Sequence, residues 1–270
     1  MNFTISPNLT YSRSEWIHFE EPEYTDPDDI RLSQRSGNYT NRQFGYVSDG
    51  LFMSQEEIEN HPIDQDEVGN TTLIPGDIKY KDLNGDGVIT SLDRAVIGRG
   101  GFPDMTYGLN LNASYKGFVL DVLFQGASKF NLMVSGSARN MFANGSIPLQ
   151  YQADYRWTPD PNNPTVNINP NAKLPGATID ATANNNVASD FWLLDGTYMR
   201  LKNINLAYNL KSEWTSKIGL NNVQFYLSGT NLVTFSKLGI YKNALDPETP
   251  SDRGNYPLHR NYTLGLRFSL

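Results

Sequence analysis

The sequence predicts an all-β protein built from antiparallel strands. Three observations predict it: strict apolar/polar alternation in six windows, an aromatic and amide-rich composition of low charge, and long polar segments between the windows. The first window sets Phe3, Ile5, Leu9 and Tyr11 against Thr4, Ser6, Asn8, Thr10 and Ser12. The second sets Tyr107, Leu109, Leu111, Ala113 and Tyr115 against Gly108, Asn110, Asn112, Ser114 and Lys116. Lys116-Gly117 reads as a short turn, and Phe118 to Gln125 as a more apolar strand with Asp121 and Gln125 on one face. Ile204, Leu206, Tyr208 and Leu210 then alternate with Asn203, Asn205, Ala207 and Asn209. Val223, Phe225 and Leu227 lie opposite Gln224, Tyr226 and Ser228. Tyr262, Leu264, Leu266, Phe268 and Leu270 close the series against Thr263, Gly265, Arg267 and Ser269. The predicted strands are 2–12, 105–116, 118–128, 198–210, 222–234 and 260–270.

The polar face of these strands carries Asn, Ser, Thr, Gln, Lys and Arg, with few carboxylates. One apolar and one wet face suits a half-buried sheet, and equally a membrane barrel that is apolar toward lipid and polar toward its lumen. The run from Tyr198 to Leu210 is long for a globular strand and suits a tilted spanning one. On the barrel reading, Leu109, Leu111, Leu206, Val223, Phe225, Leu264, Leu266 and Phe268 face lipid, while Asn110, Asn205, Gln224 and Arg267 face the lumen. Tyr107, Tyr115, Tyr198 and Trp214, near strand ends, are candidate interfacial anchors.

Among 270 residues, 15 Tyr, 13 Phe and 22 Gly accompany a charged fraction of 19%. A net charge of -7 with no run of Lys and Arg argues against a nucleic-acid partner. With no cysteine, disulfides, zinc–thiolate sites and cysteine nucleophiles are excluded. No apolar run is long enough for a transmembrane helix, and Asn2-Phe3-Thr4 starts directly in alternation. An extracellular sandwich and an outer-membrane barrel both need export, so the expectation is that the chain is part of a longer protein.

Between the strands lie 13–50 and 139–190, both long and irregular. The latter is rich in Asn, Pro, Ala and Asp and includes Thr158-Pro159-Asp160-Pro161-Asn162-Asn163-Pro164. Compact soluble domains rarely carry such loops, whereas outer-membrane barrels place long loops outside the cell and short turns on the periplasmic side. Ser54 and Glu57 stand at capping-box spacing and predict a short helix.

The strongest local chemistry is Asp82-Leu83-Asn84-Gly85-Asp86-Gly87-Val88-Ile89-Thr90-Ser91-Leu92-Asp93. Asp82, Asn84 and Asp86 occupy positions 1, 3 and 5 of a calcium loop, with Gly87 at the sharp turn. The Val88 carbonyl, Thr90 and Asp93 complete the register at positions 7, 9 and 12, and Ile89 is expected to anchor the loop inward. Asp93 replaces the bidentate Glu of the paired-helix form. The same spacing also fits a tight Asx/Gly turn with solvated carboxylates. Ile78-Lys79-Tyr80-Lys81 reads as extended, so a filled loop is a structural Ca²⁺ clip and not a two-helix sensor.

No catalytic constellation is present. His18, His61 and His259 are far apart in sequence, and no zinc-protease, serine-hydrolase or phosphate-loop pattern occurs. Asp26, Asp28 and Asp29 read as a solvated turn. Trp16, Trp157 and Trp192 fit either sugar stacking or ordinary packing.

Pro75-Gly76-Asp77-Ile78-Lys79-Tyr80-Lys81 leading into the Asp82 loop resembles the SusC/RagA family of TonB-linked outer-membrane transporters. So do Phe44-Gly45-Tyr46 with Asp49-Gly50, Tyr115-Lys116-Gly117-Phe118 with Leu123-Phe124-Gln125-Gly126, Asp195-Gly196-Thr197-Tyr198-Met199-Arg200-Leu201-Lys202-Asn203, and Ser228-Gly229-Thr230-Asn231-Leu232. The ordered set spans most of the chain, and the ordering makes it specific. The resemblance implies the C-terminal part of a barrel of about 22 strands, over residues 1–270, in the cell outer membrane. It further implies an enclosing lipid bilayer, import of oligosaccharides or peptides, a SusD-like surface lipoprotein as cap and the TonB complex as energy source. The plug domain and early strands have no counterpart here, so the chain alone is expected to be inactive. Phe268-Ser269-Leu270 departs from the family's terminal aromatic residue. The alternative is a secreted, calcium-clipped β-sandwich that binds carbohydrate.

Overall fold

The structure, a computed structural model, describes residues 1–142, 145–178, 183–249 and 258–269. Six strands form one antiparallel sheet: β1 (Asn2–Tyr11), β2 (Met105–Tyr115), β3 (Phe118–Ser128), β4 (Tyr198–Asn209), β5 (Asn222–Ser236) and β6 (Asn261–Ser269). They are ordered β1-β2-β3-β4-β5-β6, so each strand pairs with its sequence neighbour within the sheet. The six predicted windows are therefore the six strands, to within a residue or two at each end. Leu270 lies outside the described residues.

The sheet has one pleat from edge to edge. Ile5 pairs with Leu111, Leu111 with Val122, Val122 with Ile204, and Ile204 with Gly229. Leu206 pairs with Leu227, and Leu227 with Leu264. Directly paired residues share a face, so these side chains form a single apolar surface. A register shift between Leu201 and Asn203 accommodates Lys202 as a bulge. The bulge returns Ile204 to the apolar side after Leu201, keeping β4 in step with its neighbours.

The connections are divided between the two ends. Lys116 (φ 47°) and Gly117 (φ 90°) make the tight β2–β3 turn. Both central residues have positive φ, which matches the right-handed strand twist in a two-residue hairpin. Segment 210–221 joins β4 to β5 at the same end and contains the helix Ser212–Thr215. The long connections, 12–104, 129–197 and 237–260, all leave from the opposite end.

These long connections pack together. Ile78, Tyr80 and Ile89 from the first meet Phe130, Leu132, Val134, Tyr151 and Trp192 from the second and Leu238, Tyr241 and Leu245 from the third. The expectation of structureless excursions is corrected here. Residues 13–50 contain the helix Pro27–Ser33, capped by Asp26, and short paired strands. Residues 139–190 contain the helix Gln150–Tyr155 and the small hairpin of Pro159–Asp160 with Asn163–Asn167. Asn and Asp supply local side-chain acceptors that order such segments without regular periodicity. Thr158 and Asn169, for instance, both donate their backbone N–H to Asn167 Oδ1. The predicted short helix forms as Gln55–Glu59, with Ser54 Oγ accepting from Glu57 N–H as its N-cap. The reciprocal bond of a capping box is displaced by one residue, because Glu57 Oε2 accepts from Met53 N–H and not from Ser54.

Candidate functional site

The sheet offers two chemically opposite surfaces. On the apolar face Phe3, Ile5, Leu9, Leu206, Phe225, Leu227, Leu264, Leu266 and Phe268 are all exposed, Leu264 to 81%. Leu109 and Leu111 are half-buried on the same face. Val223 also shares it, but its side chain is buried where the helix Ser212–Thr215 packs against β5. This differs from the lipid-facing expectation for that residue. A contiguous apolar surface of this extent is far beyond what a water-facing sheet exposes. The carbohydrate-binding sandwich is set aside on the same ground, because a sandwich buries its apolar face beneath a second sheet.

Asn110, Asn112, Asp121, Gln125, Asn203, Asn205, Gln224 and Arg267 occupy the other face by register. Asn112 donates to Asp121 and Gln224 to Asn209, so the polar groups cross-link neighbouring strands. At the long-connection end the packed loops come down onto this face, burying Ala127, Tyr198 and Arg200. Tyr198 is therefore a core residue on the polar side, not the interfacial anchor expected of it. Tyr115 and Trp214 are exposed at the short-turn end.

Arg200 is 1% exposed. Its Nη2 donates to Asp246 Oδ2 at 2.7 Å and its Nε to Thr234 Oγ1 at 2.8 Å. Nη1 lies 3.0 Å from Glu248 Oε2, an ion pair without hydrogen-bond alignment. Lys202 Nζ reaches the same Glu248 at 2.9 Å. Two cations of β4 thus hold two carboxylates of the third connection against the polar wall.

The Asp82 loop closes as a chain of Asx turns. Asp82 accepts backbone N–H groups from Gly85 at 2.6 Å and Gly87 at 2.8 Å. Asn84 accepts from Asp86, and Asp86 from Val88. Asp93 is fully buried and accepts from Leu83 and Thr90, closing the loop from its far end. Burial raises the Asp82 pKa, but the Gly87 and Gly85 donors outweigh that and leave it below the ordinary carboxylate range, with Asp93 adjoining. Ile89 is buried in the core, as expected for the anchor. Asp82, Asn84, Asp86 and Thr90 share the one loop and are hard oxygen donors of the type calcium takes. Among the described residues, however, no three acidic or histidine side chains converge as a metal cluster.

A second Asx-rich loop lies alongside. Asp64 forms a parallel bridge with Val88, and its carbonyl accepts from Ile89 N–H. Within this loop Asp66 accepts from Val68, Asn70 and Thr72. Burial pulls the Asp66 pKa upward, but these donors bring it down to about 2. Reading the 82–93 register alone missed this neighbour. Its signal was the spacing of Asp64, Asp66 and Asn70 around Gly69.

The Pro75-Gly76-Asp77 motif is a packing joint. Gly76 has φ 98°, and a Cβ there would sit 2.9 Å from the Trp157 ring. Buried Asp77 receives Asn185 Nδ2 and Ile74 N–H, tying the first connection to the second. Burial raises its pKa. Asp77, Tyr46, Tyr80, Asp66 and Asn184 line an open cleft of about 560 Å³. Trp157 and Trp192 are buried, which favours packing over sugar stacking, whereas Trp16 lies edge-on to Phe19 and is part-exposed. His61 contacts Gln65 and Phe52, and His18 pairs with Glu20, so the imidazoles serve separate surroundings.

A sheet apolar on one side and polar on the other, with short turns at one end and packed loops at the other, is the wall of a membrane-spanning β-barrel. No helix among the described residues is long and apolar enough to cross a membrane. No family model matches the sequence. The chain is similar to TonB-dependent receptor P26 of Formosa agariphila, with 31% identity over 230 residues, covering 80% of this chain and 21% of that receptor. It is also similar to TonB-dependent receptor P3 of the same organism, with 29% identity over 296 residues, covering 98% of this chain and 26% of the receptor. Among solved structures, the RagAB peptide importer in its open-open state aligns over 100% of this chain and 27% of its own, with TM-score 0.64 and 20% identity. The chain thus spans about a quarter or less of the proteins it matches. It is similar over most of its length to part of two TonB-dependent receptors, and it shares its fold with part of the RagAB structure. These relatives are receptors and not enzymes.

Proposed function

We propose that this chain is the C-terminal part of the barrel wall of an outer-membrane TonB-dependent transporter that imports oligosaccharides or peptides. The observation that carries the reading is the unbroken apolar face across all six strands, backed by a polar face roofed by loops. In the bilayer each unpaired backbone group costs several kcal/mol, so the free edges of β1 and β6 require further strands. The chain alone therefore does not close a pore. Its working partners are a SusD-like surface lipoprotein at the long-loop end and the TonB complex at the short-turn end, both engaged by the complete transporter. An uptake-deficient strain tests this. The full-length parent restores growth on its oligosaccharide or peptide, and residues 1–270 alone do not. Uptake by residues 1–270 overturns the reading.

The 82–93 loop is proposed as a structural Ca²⁺ clip. Its support is the oxygen register of Asp82, Asn84, Asp86, Val88, Thr90 and Asp93, hard donors carried on one loop. The clip would brace the loop roof and take no part in catalysis.

A further inference from the structure

We propose that the short-turn end of the sheet carries a binding site for the phosphate of an anionic phospholipid, built on Lys116 and Lys211. This rests on the barrel-wall reading above. The β2–β3 turn and the end of β4 are joined directly, with Asn209 N–H donating to Gly117 O at 2.8 Å. The Phe118 and Tyr208 rings pack beside this joint, 4.6 Å apart. Lys116 and Lys211 therefore stand on adjacent turns of the same rim.

Each lysine is paired with an aromatic ring. Lys116 Nζ lies 5.2 Å from the centre of the Tyr115 ring, and Lys211 Nζ lies 5.7 Å from the centre of the Trp214 ring. Tyr115 and Phe118 face each other across the turn on the apolar side and are both exposed. Trp214 is exposed as well. Rings at the edge of an apolar band sit at headgroup depth, and cations beside them sit where lipid phosphates lie.

Charge points the same way. The chain carries -7 overall, yet segments 115–118 and 208–222 hold Lys116, Lys211 and Lys217 against the single carboxylate Glu213. None of these three lysines makes an ion pair among the described residues. By contrast, Lys79, Lys202 and Lys237, nearer the loops, are all paired to carboxylates. Lys129, Lys173 and Lys242 in the long connections also lie outside these ion pairs, so what marks Lys116 and Lys211 is their place at the rim where the apolar face ends, beside exposed Tyr115 and Trp214.

The test is native mass spectrometry of the complete transporter, titrated in detergent with phosphatidylglycerol or phosphatidylcholine. The wild type is expected to retain phosphatidylglycerol in preference. Lys116→Gln and Lys211→Gln should each weaken that retention roughly fivefold, as expected for one lysine near an anionic surface. Lys211→Arg should preserve it, and added salt should erode it. Equal retention of the two lipids by wild type, or unchanged retention in the double glutamine variant, overturns the site. Partition of the same protein into vesicles is measured in parallel. Insertion without lipid preference removes only this inference, whereas failure to insert removes the barrel reading itself.

Discussion

Arg200 Nη2 lies 2.7 Å from Asp246 Oδ2, joining the polar face of a spanning strand to the loop that folds over it. Removing the guanidinium leaves Asp246 without its counter-charge, whereas Glu248 keeps its pair with Lys202, and both carboxylates retain some contact with water. Arg200→Ala is expected to cost about 1.5–3 kcal/mol, the worth of charged hydrogen bonds. Hydrogen exchange should show faster opening across 237–249 with β4 and β5 still protected. Unchanged exchange there would mean that the loop is held by Leu238, Tyr241 and Leu245 alone.

The Tyr107 ring lies across Gly126 of the neighbouring strand, and its hydroxyl donates to Tyr198 O at 2.8 Å. A Cβ at position 126 meets both the ring and that carbonyl. Gly126→Ala should therefore destabilise the refolded barrel by about 1–3 kcal/mol through overpacking. Tyr107→Phe, which removes only the hydroxyl, should cost about 0.5–1.5 kcal/mol. Urea unfolding of the complete transporter in lipid vesicles measures both.

The strands were legible in the sequence because one physical rule governs them. A two-residue period with one apolar side leaves a single register, and Leu206, Leu227 and Leu264 fall into line without help from context. The bulge at Lys202 was not legible, since Leu201-Lys202-Asn203 carries no local mark of it. The loop roof was the larger omission. Its order comes from distant pairs such as Asp77 with Asn185 and Ser48 with Asp190, which no periodic pattern announces. The motif residues Gly76 and Asp77 stood out in the sequence, but their role as a joint against Trp157 and Asn185 needed the fold.

Acid should loosen the 64–72 loop. The Asp66 pKa is lowered to about 2, so its contribution to stability is present above the unfolded carboxylate value and is lost as pH falls through the folded one. Asp77 has the opposite sign: its raised pKa favours the folded state at low pH and disfavours it as pH rises. Protection of the Val68, Asn70 and Thr72 amides, taken relative to their intrinsic exchange at each pH, should therefore fall between about pH 4 and pH 2. Asp66→Asn should remove most of that acid dependence. Protection that stays constant over that range in the wild type would contradict the assignment.

Calcium is expected to bind the 82–93 loop of the complete transporter. Isothermal titration at millimolar calcium should show binding heat that the combined Asp82→Ala and Asp86→Ala variant lacks. Equal heats, or none in the wild type, would leave a loop closed by its own amides as the full account.

Leu266→Arg places a cation on the apolar face, which should cost roughly 2–4 kcal/mol near the bilayer midplane and about 0–1 kcal/mol at its edge. The same change at Arg267's lumen-facing neighbour Gln224 should cost far less. Urea unfolding in vesicles distinguishes the two.

The most direct test of the account is the accessibility of single cysteines introduced into the complete transporter in its membrane, aided by the absence of any cysteine in this chain. A water-soluble thiol reagent should label positions 205 and 224 and spare 264 and 266. Strong labelling at 264 and 266, with 205 and 224 protected, would contradict the orientation of the whole sheet.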